Sequence, residues 1–466
     1  MIWSTLDKMQ EVKDIIINKA YYYTFDLNPR LFNIFKKQFT YPNKLYYMEM
    51  NIHGKSKQDK YIATFNELYD KEKDLYKVFL LRGEIDNLKM FLKNNNLSYK
   101  IVDNTYTQDF KCNISGKLFT LGYQMETVKR IIKHKDGLVV APPGSGKTIS
   151  ALKFIAEVQQ TALIIVPSKF LVKQWRDAIK KVLNIDCGIY TGSVKEFREI
   201  TVATSKSMYN YVKDNPIAQQ FGILIVDEAH HIPSQTLFYI VNAFKSKYKI
   251  GLSATPYRKD MLDLLIYTSL GKIIYEVSSD DLKNENRFIK TNVNLILMPY
   301  IMSDYLSGKN YNDLLKFLFN NDDYFNYLVK FLKSVENEAL VVFPRVDFSE
   351  KIYNKLKKYR NTIILNGKNN LPPEKVNKDK PDIIIGTTQY LYEGLDFPYL
   401  KNIVIPYPIN NKQIMTQLIG RIQRFIPNKN EINIYEFYMK NSYWEYVVKV
   451  HTNYYIKRNF NINRVK

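Results

Sequence analysis

Three short constellations in this 466-residue chain carry residue types suited to chemistry on a phosphate anhydride. The first is GLVVAPPGSGKT, Gly137–Thr148. Leu138, Val139 and Val140 read as a buried strand, after which Gly144 and Gly146 let the backbone curl so that N–H groups, Ser145 among them, converge on an anion. Lys147 then reaches the β and γ phosphates of ATP and Thr148 ligates Mg²⁺, although the strict phosphate-loop pattern asks for glycine where this chain has Ala141. The second constellation is ILIVDEAHH, Ile223–His231. An apolar strand ending in two carboxylates sets both at the C-terminal edge of a sheet, where ligands of open α/β folds bind. Asp227 there suits the Mg²⁺ shell, and Glu228 suits polarisation of the attacking water. The third is QLIGRIQR, Gln417–Arg424. Arg421 and Arg424 stand three apart, so on a helix they share a face, and Gly420 permits close approach.

These groups need elements to position them. Gly122-Tyr123-Gln124 opens an amphipathic stretch leading to the phosphate loop, and the amide of Gln124 can give and accept hydrogen bonds at the edge of adenine. After Thr148, apolar runs alternate with helical patterns: Ala162–Val166, Ile200–Thr204, Ile223–Asp227 and Lys249–Thr255. The pattern restarts at Ala339–Phe343, Thr362–Leu365, Asp382–Thr387, Asn402–Pro406 and Ile432–Phe437. Continuous Val/Ile-rich strands between helices predict parallel sheets covered on both faces. Two similar α/β domains follow one another, joined within about Ser278–Met302. Ahead of them, Lys77–Gly83 reads as a strand, Ile85, Leu88, Phe91 and Leu92 recur at helical spacing, and Ser98–Asn104 returns as a strand, which makes a small α+β unit. The end of the chain interleaves Lys440, Lys449, Lys457, Arg458, Arg464 and Lys466 with Trp444, Tyr446, Tyr454 and Tyr455. Such a mixture suits either a stacking, phosphate-tracking surface or a solvated terminal helix.

Composition bounds the partners. A formal charge of +22 points to a polyanion, most simply nucleic acid, although abundant Lys, Asn, Ile and Tyr also accompany an AT-rich genome. The two cysteines, Cys112 and Cys187, form no paired motif and no zinc spacing, as expected of a reduced cytosolic protein. No stretch approaches the ~18–20 apolar residues of a membrane span, and the first residues lack a secretory pattern.

Taken together, these motifs resemble those of superfamily 2 helicases and translocases, in which the A-x-x-G-x-G-K-T form of the phosphate loop is usual. Pro167–Trp175 and Val202–Met208 are similar to strand-contacting motifs, Ser253–Arg258 to the motif coupling hydrolysis to movement, and Gly386–Pro398 to the fifth motif. The likeness is greatest to the XPB-like group, including the phage UvsW-type proteins, whose N-terminal module contacts DNA. The resemblance implies two tandem RecA-like parallel-sheet domains at 113–290 and 291–438, preceded by a small α+β DNA-recognition module at 1–112 and followed by a basic aromatic tail at 439–466.

It also implies roles. Gly394 and Asp396 would meet the nucleotide, and Arg421 and Arg424 would act as arginine fingers. His230, Ser253, Thr255 and Gln417 would couple hydrolysis to movement, while Lys169, Thr204, Arg258 and Thr388 would grip the nucleic-acid backbone. The expected activity is an ATP- and Mg²⁺-dependent, 3′ to 5′ DNA helicase or translocase that remodels forked or branched DNA as a cytoplasmic monomer, in the host cytoplasm if phage-encoded. An RNA helicase, a double-strand translocase without strand separation, and an ATP-gated clamp in transcription are the competing readings.

Overall fold

The computed structural model describes residues 15–115, 121–215, 220–254, 262–285, 289–298, 311–366, 369, 371–392, 397–423, 426 and 429–465. The chain divides into two compact units, one of Met1–Ala141 with Gly146–Glu276 and one of Pro142–Ser145 with Val277–Lys466.

In the first unit the α+β module is built on a mixed sheet ordered Phe65–Asp70, Leu75–Leu80, Tyr23–Leu27, Ile15–Lys19, Tyr99–Asp103, with only the last pair parallel. The helices Pro29–Gln38 and Ile85–Asn94 contribute to its core. Phe35 is the centre of that core, edge-on to Phe25, Phe65 and Phe91 at 5.1–5.7 Å and stacked on Phe39 at 4.2 Å. Edge-on and offset pairs of this kind suit the ring quadrupoles. Leu88, Phe91 and Leu92 are buried, as their helical spacing predicts.

Beside the module lies a parallel sheet of seven strands among the described residues, ordered Gly188–Tyr190, Ile200–Thr204, Ala162–Val166, Ile223–Asp227, Tyr248–Ser253, Asp136–Val140 and Ile273–Glu276. Successive residues feed opposite faces: Val139, Ile164, Ile225 and Ile250 pack in one core, and Leu138, Leu163, Leu224 and Val226 in another. This two-sided burial is why the strands read as unbroken apolar runs rather than alternating ones.

The module is bolted to this sheet through Arg82 and Gly83. The Arg82 side chain is wholly buried, and its Nη2 and Nε donate to Asp136 Oδ1 and Oδ2 at 2.5 and 3.1 Å. Its Nη1 donates to the carbonyls of Ser246 (2.6 Å) and Ala20 (3.3 Å). Lys19 adds a second cation, 3.2 Å from Asp136. A Cβ on Gly83 would lie 2.0 Å from the Tyr267 carbonyl oxygen, so only glycine lets the turn approach the helix Asp263–Leu270 this closely. The region 1–112, expected as a separate module, therefore shares a compact unit with the phosphate-loop domain.

In the second unit the order is Thr362–Leu365, Ile383–Thr387, Ala339–Phe343, Asn402–Ile405, Glu431–Tyr438, Lys290–Leu297, Asn461–Val465, again all parallel. Two of these strands correct the sequence reading. Lys290–Leu297 falls inside the expected join, and Asn461–Val465 inside the expected tail, yet they pair with one another. Both alternate apolar residues with asparagines, whose amides form a ladder: Asn433 to Asn402 (3.1 Å), Asn292 to Asn433 (3.3 Å) and Asn461 to Asn292 (3.2 Å). Hydrogen bonding across the sheet supplies what the apolar run supplies elsewhere. Trp444, Tyr454 and Tyr455, weighed as stacking residues, are buried in the core of this unit, while Tyr446 is 60% exposed. The boundaries placed at 290 and 438 accordingly shift, and residues 439–465 are integral to the second unit, as a core-packed helix Tyr443–Lys457 and the strand Asn461–Val465. Among the described residues no helix is long and apolar enough to cross a membrane.

The Arg82–Asp136 pair yields a stability prediction. Asp136→Ala strands the buried guanidinium beside Lys19 and should cost about 3–5 kcal/mol. Lys272→Ala, which removes an ion pair to Asp86 that is exposed on both sides, should cost less than ~1 kcal/mol. Chemical denaturation of both variants checks the contrast, and equal midpoints would refute the role given to Arg82.

Candidate nucleotide site

Parallel strands deliver their following loops to one edge, and the described site residues of the first unit collect there. Val140 pairs with Ser253, and Asp227 with Leu252, so the phosphate loop and the two carboxylates leave the sheet edge on either side of the strand Tyr248–Ser253. Ala141 N donates to the Ser253 carbonyl at 3.0 Å, fixing the start of the loop.

Gly144 and Gly146 have φ of +79° and +86°, the left-handed region that glycine enters without steric cost. Gly146 is needed for space as well, since a Cβ there would stand 2.4 Å from Gln124 Nε2. Lys147 opens the helix Lys147–Val158, whose first N–H groups and dipole favour an anion. Its ammonium donates to the Ala141 carbonyl at 3.0 Å, across the mouth of the loop. Ser145 Oγ donates to the Pro142 carbonyl at 2.7 Å. Thr148 is half-buried in the first turn of the helix. Gln124, expected to read adenine, is buried, and its Oε1 accepts from Leu121 N at 3.3 Å. Contact with a base requires it to exchange that bond.

Asp227 and Glu228 differ in environment. Asp227 is buried, and its Oδ2 accepts the indole N–H of Trp175 at 2.8 Å while its Oδ1 accepts Glu228 N at 3.0 Å. Burial and the neighbouring Glu228 carboxylate push the Asp227 carboxyl up to about 6. On Glu228 burial acts in the same upward sense, but His230 and Lys147 outweigh it and hold the group below the ordinary carboxylate range. Glu228 has φ of +51°, uncommon for a side-chain-bearing residue and the kind of local strain that collects at functional sites. His230, almost wholly buried, holds Nδ1 3.3 Å from Glu228 Oε2 and 3.4 Å from Ser253 Oγ. One imidazole thereby joins the second carboxylate to Ser253, the first residue of the expected coupling motif.

Trp175 is the residue that sequence reading passed over. It lies on the helix Lys169–Leu183, 1% exposed, on the apolar face with Val172, Ile179 and Val182. A buried indole requires a partner for its N–H, and that requirement was the available signal. Lys169 stands exposed at the start of the same helix. Thr204, at the end of its strand, is buried and donates to Ser207 Oγ at 2.9 Å, so its hydroxyl proton is committed within the fold.

In the second unit, Thr388 follows the strand Ile383–Thr387 and donates to the Phe343 carbonyl at 3.0 Å. Gln417 is buried and Arg421 half-buried on the helix Lys412–Ile422. Thr255, Arg258, Gly394, Asp396 and Arg424 lie outside the described residues, and so does any shared face for Arg421 and Arg424.

The donors at the sheet edge, a hydroxyl and carboxylate oxygens, are hard ligands that suit Mg²⁺. Glu228 Oε2 is also buried without a hydrogen bond of good geometry. Among the described residues no group of three or more His, Cys, Asp or Glu could hold a metal ion.

Comparison with known proteins agrees with this geometry. Residues 118–258 match the family described as "Type III restriction enzyme, res subunit", a segment running from before the phosphate loop to beyond the Asp227–Glu228 pair. Over 169 residues, 36% of this chain and 38% of the relative, the sequence is 38% identical to the "DNA 3'-5' translocase XPB2" of Sulfurisphaera tokodaii. It spans about a quarter of two further relatives named as DNA 3'-5' helicases, 26% and 24% of their lengths. A wider match, 25% identity over 65% of this chain and 68% of the relative, is to "Probable helicase D10" of Escherichia phage T5. Among solved structures the fold is similar to a type ISP restriction-modification enzyme, LlaBIII, bound to DNA. That likeness has a TM-score of 0.57 at 14% identity, covering 81% of this chain and 34% of the other. With the phosphate loop, the Asp-Glu strand end and two tandem parallel sheets in place, the chain is similar to superfamily 2 helicases of the XPB-like type.

Proposed function

We propose that this protein is an ATP-driven motor that moves 3′ to 5′ on DNA and remodels forked or branched molecules, working as a monomer in the cytoplasm. The observation that carries the reading is the convergence at one sheet edge of Lys147, Asp227, Glu228, His230 and Trp175. Lys147 and the N–H groups of the 144–148 loop bind the phosphates of ATP. Thr148 and Asp227 would hold Mg²⁺, which supplies charge neutralisation on the transferring phosphoryl group. Glu228, kept ionised by His230, orients the attacking water and takes its proton. Trp175 fixes the Asp227 carboxylate in one orientation, and His230 relays the state of Glu228 to Ser253 and the segment beyond it, which includes Thr255 and Arg258. From the second domain, Arg421 and Arg424 would stabilise charge on the γ-phosphate and Gly394 and Asp396 would meet the nucleotide. Lys169, Arg258 and backbone amides near Thr204 and Thr388 would hold DNA phosphates, a grip indifferent to sequence.

The decisive experiment is ATP hydrolysis by the purified protein with no polymer, single strands, duplex, a fork and a four-way junction, in DNA and in RNA, followed by unwinding of the best activator. Forked or branched DNA should stimulate most and be resolved. Equal stimulation by RNA would overturn the DNA assignment, and stimulation without strand release would overturn remodelling.

Three substitutions test the site. Lys147→Ala should abolish most DNA-stimulated turnover, and robust hydrolysis would refute the phosphate-loop role. Glu228→Gln should retain nucleotide binding while lowering hydrolysis by about 10²–10⁴. Trp175→Phe keeps the ring in the core and removes only the N–H. It should raise the Mg²⁺ concentration needed for half-maximal nucleotide binding by about 10–100-fold with the melting temperature nearly unchanged. An unaltered Mg²⁺ requirement would leave Trp175 a packing residue.

A further inference from the structure

The second unit carries a cavity of whose lining only Thr388 has been given a motif role. It measures about 560 Å³, inside the roughly 300–1,000 Å³ range of small-ligand sites. Tyr311, Tyr407 and Tyr443 contribute rings, and Thr388, Asn410 and Asn411 contribute hydroxyl and amide groups. Part of its wall follows the C-terminal ends of three neighbouring strands, Ala339–Phe343, Ile383–Thr387 and Asn402–Ile405, the edge at which open α/β sheets bind ligands, and Tyr311 and Tyr443 reach it as the first residues of the helices Tyr311–Phe319 and Tyr443–Lys457.

The chemistry of the lining narrows the occupant. Among the described residues none that lines it is charged, so these offer phosphate, carboxylate and ammonium groups no counter-ion. The rings of Tyr311 and Tyr443 meet edge-on, with centroids 6.2 Å apart, and Tyr446, 60% exposed, continues the row 6.3 Å from Tyr443. Asn410 donates to the Tyr443 hydroxyl at 2.5 Å, holding that ring. Thr388 bonds to the Tyr407 hydroxyl and to the Phe343 carbonyl, closing the floor. A flat, neutral, aromatic occupant with hydrogen-bonding edges fits such a lining. On a protein of net charge +22, that description is met by a base of a single-stranded nucleic acid whose phosphates stay outside.

Resting on the DNA-motor reading, we infer that the Tyr311–Tyr407–Tyr443 cavity accepts one unstacked base of the bound strand. The strand passes the Thr388 edge, and one nucleotide turns its base inward against Tyr443. Asparagine amides at the rim meet whatever edge the base presents, so every base is admitted. Such a pocket gives the second domain a purchase that depends on the base being unpaired.

Binding of a single-stranded oligonucleotide carrying 2-aminopurine, or an abasic site, at successive positions tests this. With the wild-type protein, one position should show strong 2-aminopurine quenching and an affinity loss of about 5- to 150-fold when abasic, the equivalent of one base stack. Tyr443→Ala should weaken the intact strand by a similar factor and erase the positional effect. Tyr443→Phe should restore both, and the slope of affinity against salt should stay as in wild type because no phosphate contact is lost. An abasic scan without a sensitive position in the wild-type protein overturns the pocket irrespective of how the variants fold. So does Tyr443→Ala binding as tightly as wild type. Failure of the wild-type protein to bind any single strand would instead bring down the motor reading, and the pocket with it.

Discussion

The candidate nucleotide site is built on two adjacent carboxylates at the end of a strand that is buried along its whole length. Taken from water, Asp227 and Glu228 repel one another and lose solvation, and an isolated pair would take up a proton. The fold answers with specific donors. The Trp175 indole and the Glu228 amide serve Asp227, His230 serves Glu228, and Lys147 stands close enough to lower both. The Glu228 amide and His230 lie in the same segment as the carboxylates, but Trp175 and Lys147 come from two separate helices, so the full arrangement forms only when those helices are packed on the sheet. Chemistry and folding are coupled through that requirement.

A second buried charge, Asp136, performs the same service on the opposite edge of that sheet. It opens the strand leading to the phosphate loop and binds Arg82 and Lys19 of the N-terminal module. Lys249, buried beside it, has its ammonium pushed well below the ordinary lysine range by burial and by the neighbouring Arg82. A module tied by hydrogen-bonded charge and by the backbone contact at Gly83 has few ways to reorient. The module is thereby held in fixed geometry relative to the strand that leads to the phosphate loop of the same unit.

The two sheets show how far pattern reading extends. Ala162–Val166, Ile200–Thr204, Ile223–Asp227, Ala339–Phe343 and Ile383–Thr387 coincide with apolar runs, because interior strands covered on both faces leave little place for polar residues. Gly188–Tyr190, Lys290–Leu297 and Asn461–Val465 escape that reading, being short or carrying asparagines on alternate positions. Periodicity also cannot tell a base-stacking tyrosine from a core tyrosine. Tyr455 is fully buried with its hydroxyl 2.7 Å from Glu436, whereas Tyr446 on the same helix is open to solvent.

Sequence alone determined the two-sheet architecture, the phosphate loop, the Asp-Glu pair and the family likeness. All are written in contiguous residues whose spacing and local backbone preferences carry the information. The tertiary structure decided what depends on residues distant in the chain. The indole of Trp175 meets Asp227 across 52 positions, and the Arg82 guanidinium meets Asp136 across 54. Segments following three separate strands and the first residues of two helices meet at the cavity around Tyr443. No local pattern encodes such meetings, because they arise only when parallel strands are brought into one sheet and its edge gathers their loops.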